Sequence, residues 1–213
     1  MKGKWLYTTP VMAVLVCTAL YLGASGVDRR RPEPPVSVTD DPAAPERARA
    51  FSLIGPHGAV MTDRSFRGEW LVVFFGYTHC GDICPVALHN LSQALEALGE
   101  PAARIRVAFI TLDPDHDLPE LLASYLQAFG PRFVGLTGSD EQITEVEETY
   151  GAYAEKPAAT SQGNGAIRHS SAFYVLDPNG RFRRQISSES AAADLAASLA
   201  SAMGLDKKTD KAP

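Results

Sequence analysis

Apolar and polar positions along the chain predict a strand that leads through a polar turn into a helix. The run Leu71–Phe75 is continuously apolar, as in a buried strand, and it stops at Gly76. Pro85 opens a segment with leucines at helical spacing, and Gly99 supplies its C-cap. These leucines are Leu88, Leu91, Leu95 and Leu98. The pattern therefore places a strand-to-helix transition near residues 76–85.

The rest of the pattern predicts an α/β fold with a mixed sheet. The expected elements are a hairpin at 51–61, strands at 105–112, 133–136, 171–176 and 182–186, a helix at 117–129 opened by a capping box, a helix capped at 139–142, and a closing helix at 194–203 that begins near 188. Residues 152–168 have hardly any periodicity. Loops of that length inside a compact domain are usually functional or mobile.

The two ends of the chain are expected to lie outside the folded domain, which we place at 50–203. Residues 5–24 form a mostly apolar run of roughly the length that spans a bilayer, so 1–27 is expected to be a transmembrane anchor or a signal segment. The run is long for a signal peptide, which favours the uncleaved anchor. Residues 28–49 are rich in proline and predict an extended linker, and 204–213 form a charged tail.

Composition and charge narrow the function and the location. The chain has 213 residues, of which 45% are hydrophobic and 21% charged, which fits one globular domain with attachments. A net charge of −5 argues against a nucleic-acid partner. The apolar run begins at residue 5 and leaves no room for a mitochondrial presequence. We therefore expect a bacterial inner membrane, with the folded domain in the periplasm.

Cys80 and Cys84 are the candidate chemistry, and they lie where the strand passes into the helix. A helix N-terminus favours thiolate, so both sulfurs are expected to ionise readily. The spacing permits a disulfide, and two converging thiolates also form half of a soft-metal site. Taken alone, C-x-x-x-C leaves a structural disulfide and a functional dithiol about equally open.

The run F-G-Y-T-H-C-G-D-I-C-P at 75–85 resembles the signature of the Sco/SenC family, whose usual form has Pro in place of Gly81. These are copper-binding proteins that help to assemble cytochrome c oxidase. The resemblance implies a thioredoxin-like fold, and it extends to T-L-D-P-D-H-D-L-P at 111–119 and to H-S-S-A-F-Y-V-L-D-P-N-G-R-F at 169–182.

The resemblance also implies that His169 is the third copper ligand, beside Cys80 and Cys84. Two thiolates and one imidazole suit copper, as Cu(I) or Cu(II), and the sequence offers no recognisable fourth ligand for structural zinc. The other histidines are expected to have bland roles. His57, His89 and His116 are interpreted as solvated, and His79 as support for the turn.

Two positions depart from the family pattern. Arg168 stands where the family commonly has Asp, and a cation beside the site is expected to disfavour positive metal charge and to favour thiolate. Gly81 in place of Pro is expected to loosen the turn. Neither change removes a ligand.

Two functions follow from the resemblance. The first is a membrane-tethered copper metallochaperone that receives copper from a donor chaperone and delivers it to the CuA site of cytochrome c oxidase subunit II. Such a protein is a carrier rather than an enzyme. The second is a thiol:disulfide oxidoreductase, in which Cys80 attacks a disulfide, Cys84 resolves the mixed disulfide and a thiol reductant restores the pair. The C-x-x-x-C spacing and Ser170-Ser171 after His169, where a general reductase carries C-x-x-C and a cis-proline, favour metal binding.

Overall fold

A computed structural model describes residues 50–155 and 167–205 of the chain. Its strands are β1 (Ser52–Ile54), β2 (Val60–Thr62), β3 (Trp70–Gly76), β4 (Ile105–Thr111), β5 (Phe133–Leu136), β6 (Ala154–Glu155), β7 (Arg168–His169), β8 (Ala172–Leu176) and β9 (Phe182–Ser187). Its α-helices are α1 (Ile83–Leu98), α2 (Pro119–Leu126), α3 (Asp140–Tyr150) and α4 (Ala192–Ala202). The predicted order of strands and helices is confirmed.

Five of the strands form one mixed sheet in the order β5-β4-β3-β8-β9. Strands β3, β4 and β5 run parallel, whereas β8 and β9 are antiparallel to their neighbours. The α/β class with a mixed central sheet is therefore confirmed. Because α1 follows β3 and α2 follows β4, both helices begin at the carboxyl edge of the parallel strands, where α/β folds place their functional groups.

The sheet is covered on both faces, which explains why β3 and β4 are apolar along their length. Alternate residues of β3, beginning with Val72 and Phe74, pack into one cluster with residues of α1, α2 and α4. Leu71, Val73 and Phe75 pack into the other cluster with residues of β1 and α3. Burial on both faces fixes the end of β3 and, with it, the turn that carries the cysteines.

Three boundaries differ from the prediction. Helix α1 begins at Ile83, two residues before Pro85, so Cys84 lies inside its first turn. Helix α4 begins at Ala192 rather than near residue 188. The predicted capping box of α2 is wrong, because Leu118 is the N-cap and makes no side-chain cap bond. The Asp117 carboxylate is committed elsewhere, as the site shows.

The unpatterned segment 152–168 contains two short strands at its ends. Ala154 pairs with His169 and Glu155 with Arg168 in an antiparallel ladder. The ladder lets the chain return beside itself, so His169 arrives on a strand rather than on a loop. The intervening residues 156–166 lie outside the described part.

The predicted anchor at 1–27, the linker at 28–49 and the tail from residue 206 also lie outside the described residues. Within 50–155 and 167–205, no helix has the length and apolar character needed to cross a membrane.

Candidate metal centre

Cys80 and Cys84 lie on either side of the start of helix α1. Cys80 is half-buried in the turn after β3, and Cys84 is fully buried. The backbone N–H of Cys84 donates to the Cys80 sulfur over 3.4 Å, and the N–H of Cys80 donates to the Tyr77 carbonyl. Both thiols are unbridged. The turn thus presents one accessible and one enclosed sulfur.

His169 approaches the enclosed sulfur from the other side. Its Nε2 atom lies 3.7 Å from the Cys84 sulfur. Its Nδ1 atom lies 3.1 Å from the Ser170 carbonyl oxygen, which only accepts, so Nδ1 carries the proton of the neutral ring. The lone pair therefore belongs to Nε2, the nitrogen that faces the dithiol. An outer hydrogen bond of this kind orients metal-binding histidines in general.

The two sulfurs and a ring nitrogen of His169 all lie within 4.8 Å of one another. Of the described residues, Cys80, Cys84 and His169 are the one group of three or more His, Cys, Asp or Glu side chains with ligand atoms placed to share a metal ion. Thiolate and imidazole ligands suit soft and borderline ions such as Cu(I) and Zn²⁺. The structure therefore brings together the three residues that were expected to meet.

Burial acts on the protonation of both enclosed groups. Desolvation raises the pKa of the Cys84 thiol above its usual range, and the nearby Cys80 raises it further. The expectation that both sulfurs ionise readily is therefore wrong for Cys84, because loss of water outweighs the helix end. Burial lowers the pKa of His169, which keeps its ring neutral as a ligand.

Tyr77 links the dithiol to the segment that carries His169. Its hydroxyl oxygen accepts the N–H of Ile167 over 3.2 Å, and its ring lies edge-on to the His169 ring at 6.2 Å between centroids. Burial raises the pKa of the Tyr77 hydroxyl, and the neighbouring Cys80 thiol contributes. One buried side chain thus contacts the neighbourhood of both ligand types.

The Asp117 carboxylate joins the cysteine turn to the turn before α2. It is fully buried and accepts the backbone N–H of Thr78 over 3.0 Å and the Thr111 hydroxyl over 2.6 Å. The Thr78 hydroxyl also donates to it. These charge-assisted bonds fix the residues just before Cys80.

The two departures from the family pattern lie at the surface. The Arg168 guanidinium is 3.3 Å from the Glu155 carboxylate, with 77% of its side chain exposed. Arg168 and His169 are consecutive in a strand, so their side chains point to opposite faces. The effect of Arg168 on the metal stays a prediction. Gly81 is exposed, and a Cβ atom there would meet open space.

Sequence reasoning missed Tyr77, Thr78 and Asp117 as supports of the site. Two of them stand inside the motif that contains the cysteines, which was the available signal. Asp117 was misassigned because D-L-P-E fits a helix start, and only the sheet register shows that β4 delivers Thr111 to its carboxylate.

The fold and these residues define a class of protein: a thioredoxin-like domain with a dithiol and one imidazole at the edge of its parallel strands. The sequence model of the SCO1/SenC family matches residues 39–204. The chain therefore belongs to the SCO1/SenC family.

Named relatives and solved structures agree with this assignment. The chain is 36% identical to the protein sco1 of Schizosaccharomyces pombe over 160 residues, which cover 74% of this chain and 61% of that protein. It is 41% identical to the mitochondrial SCO2 homolog of Bos taurus over 134 residues, which cover 62% of this chain and 50% of that protein. The chain thus spans only 50–61% of the length of these two relatives.

Among solved structures, Bradyrhizobium japonicum ScoI with copper bound is 34% identical, with a TM-score of 0.63 over 70% of this chain and 95% of that chain. Arabidopsis thaliana ScoI with copper bound is 29% identical, with a TM-score of 0.68 over 73% of this chain and 97% of that chain.

Proposed function

We propose that this protein is a copper metallochaperone that binds copper through Cys80, Cys84 and His169. The observation that carries the proposal is the approach of their three ligand atoms to within 4.8 Å. Two thiolates and one imidazole favour copper, which accepts three soft ligands as Cu(I), over structural zinc, which takes four protein ligands. Relatives whose structures were solved with copper bound support the same metal.

The proposed cargo transfer proceeds by ligand exchange. Cys80 is the more accessible sulfur, so an acceptor ligand would replace Cys80 first and the enclosed Cys84 and His169 later. No electron is transferred in such an exchange, and each released sulfur takes up a proton from solvent. The acceptor we propose is the CuA site of cytochrome c oxidase subunit II, with a separate copper donor chaperone upstream.

An apolar surface beside the site supports a protein as the partner. Ile83 and Val86 in the first turn of α1, and Leu118 and Leu121 at the start of α2, are 42–57% exposed. Exposed apolar patches of this kind mark protein–protein contacts more often than contacts with small ions. We further propose that residues 1–27 anchor the protein in a bacterial inner membrane and that the Pro-rich linker at 28–49 holds the domain in the periplasm.

The second candidate function is thiol:disulfide exchange by the same pair. The Cys80 thiolate would attack a substrate disulfide and release one substrate thiolate. Cys84 would then attack the Cys80 sulfur, release the second thiolate and leave a Cys80–Cys84 disulfide for an external thiol reductant. The unbridged, unequally exposed thiols favour this alternative. It needs no imidazole.

Copper titration of reduced wild type and of His169→Ala tests the proposal. We expect tight binding of one copper per chain by wild type, and a loss of affinity of about tenfold or more in His169→Ala, since one of three ligands is removed. The Cys80–Cys84 disulfide should still form in the variant. Equal affinity in both proteins would contradict the chaperone site, and disulfide turnover that survives loss of His169 would favour the oxidoreductase.

A further inference from the structure

His79 and His116 form a second pair of imidazoles outside the thiol site. Their ring centroids are 6.2 Å apart and their planes are inclined by 75°. Both side chains are exposed. The sequence gave them separate roles, one in the cysteine turn and one in a solvated loop, because nothing in the spacing of residues 79 and 116 brings them together.

The pair is held by the network that fixes the cysteine turn. His79 lies in the turn between β3 and α1, and His116 lies in the turn between β4 and α2. Asp117, next to His116, accepts hydrogen bonds from Thr78, next to His79. The two turns are therefore tied together at the residues that adjoin the two rings.

The Nδ1 atom of each ring contacts a protein oxygen. His116 Nδ1 is 2.8 Å from an Asp113 carboxylate oxygen, and His79 Nδ1 is 3.3 Å from the Thr78 hydroxyl. Each ring would therefore bind a metal through Nε2. A carboxylate on the outer nitrogen orients the ring and makes it a stronger ligand, which is the usual outer arrangement of metal-binding histidines.

The separation of the rings is compatible with a shared ion. Metal–nitrogen bonds of about 2.0–2.1 Å, added to a ring radius of about 1.1 Å, place the centroids of two imidazoles on one ion at most about 6.4 Å apart. The observed 6.2 Å lies within that limit and corresponds to a wide angle between the two bonds. Cu(I) accepts two ligands at a wide angle, and imidazole is among the ligands that suit copper.

We propose that His79 and His116 form a second, weaker copper site at the surface, a landing position for the ion beside the dithiol. The proposal rests on the proposed function, in which copper is the cargo. His79 directly precedes Cys80, so an ion held by the pair is one residue away from the accessible sulfur. Transfer exchanges copper–nitrogen bonds for copper–sulfur bonds, leaves the ion as Cu(I) and releases the thiol protons to solvent.

Anaerobic titration of the reduced full-length protein with Cu(I), against a chromophoric Cu(I) chelator, tests this second site. Wild type should bind two ions, one tightly and one at least about tenfold more weakly. His79→Gln and His116→Gln should each abolish the weaker equivalent and leave the affinity of the tight one unchanged. His89→Gln is the matched control, since His89 is also exposed but lies on α1 outside the pair, and it should retain both equivalents.

A second variant separates an ordered site from general histidine binding. Asp113→Asn retains both rings and removes the carboxylate charge from His116, so it should weaken only the second equivalent. One equivalent in wild type, or a second equivalent that survives both pair variants or disappears equally in His89→Gln, would overturn the landing site. Loss of the tight equivalent in wild type would contradict the proposed function instead.

Discussion

At the scale of single residues, His169 is prepared to act as a neutral ligand. The Ser170 carbonyl fixes its Nδ1 proton, and burial opposes a second proton on the ring. His116 is affected in the opposite way, because its hydrogen bond to the exposed Asp113 carboxylate raises its pKa. Two histidines in one domain therefore differ in charge near neutral pH for identifiable physical reasons.

We expect metal-free His169 to titrate below the usual histidine pKa of about 6.5, and His116 above it. The unfolded chain then binds the His169 proton more readily than the folded chain. The contribution of His169 to the free energy of unfolding is thus fully present above about pH 6.5 and decreases as the pH falls toward the folded pKa. An NMR titration of the ring protons measures both values.

Asp113→Asn provides the control for that titration. It should lower the pKa of His116 and leave that of His169 unchanged, because the carboxylate bonds to His116 alone of the two. A His169 that titrates at or above about 6.5 would contradict the buried, neutral ring.

The protonation of the thiols shows what the sequence could not predict at this scale. The helix end near Cys84 is visible in the sequence, because Pro85 and the leucine stripe reveal it. The burial of the sulfur is not visible, since it depends on Phe109 and other residues of distant strands. The two effects on the Cys84 pKa oppose each other, and only the packed structure shows that burial dominates.

At the scale of elements, the end of strand β3 and the start of helix α1 approach each other closely. A Cβ atom at Gly76 would lie 2.9 Å from the Phe109 ring and 3.1 Å from the Cys84 sulfur. Gly76 thus lets the buried sulfur pack against the strand. The turn that follows is held by the Asp117 carboxylate rather than by the helix cap that D-L-P-E suggested.

Gly76→Ala should destabilise the domain by about 1–3 kcal/mol, because the added methyl group overpacks the contact between the strand, Phe109 and Cys84. Urea denaturation of the reduced protein measures the change. Gly81→Ala is the matched control, since a Cβ atom there meets open space, and it should change stability by less than about 0.5 kcal/mol. Equal effects at the two positions would contradict the close packing at Gly76.

Asp117→Ala should destabilise the domain by about 3 kcal/mol, because buried donors of Thr78 and Thr111 lose a charged acceptor. Asp117→Asn keeps one carbonyl oxygen and should cost less. Denaturant unfolding of the three proteins gives the order wild type, Asn variant, Ala variant. A neutral Asp117→Ala would show that the two turns do not depend on this carboxylate.

The elements themselves follow closely from the sequence. The hairpin, β3, the leucine-striped helix and β5 were predicted within a few residues, because each has a regular apolar pattern or a glycine at its end. The short strands β6 and β7 could not be predicted, since two-residue strands carry no periodicity and exist only through their mutual pairing.

At the scale of the whole molecule, the sheet order brings distant parts of the chain to one place. Strand β8 returns antiparallel beside β3, so the segment just before β8 reaches the carboxyl end of β3. His169 and Cys84 meet there across 85 positions of sequence. The residues alone indicated a dithiol, and the family resemblance indicated the histidine. The meeting of His79 with His116 follows from the same topology and had no signal in the sequence.

The central claim is that Cys80, Cys84 and His169 together hold one copper ion. X-ray absorption at the copper edge, on full-length reduced protein loaded with one equivalent of Cu(I) or less, tests this claim most directly. We predict two sulfur neighbours and one nitrogen neighbour in wild type, and loss of that nitrogen with both sulfurs retained in His169→Ala. A spectrum without sulfur, or a nitrogen neighbour unchanged in His169→Ala, would contradict it.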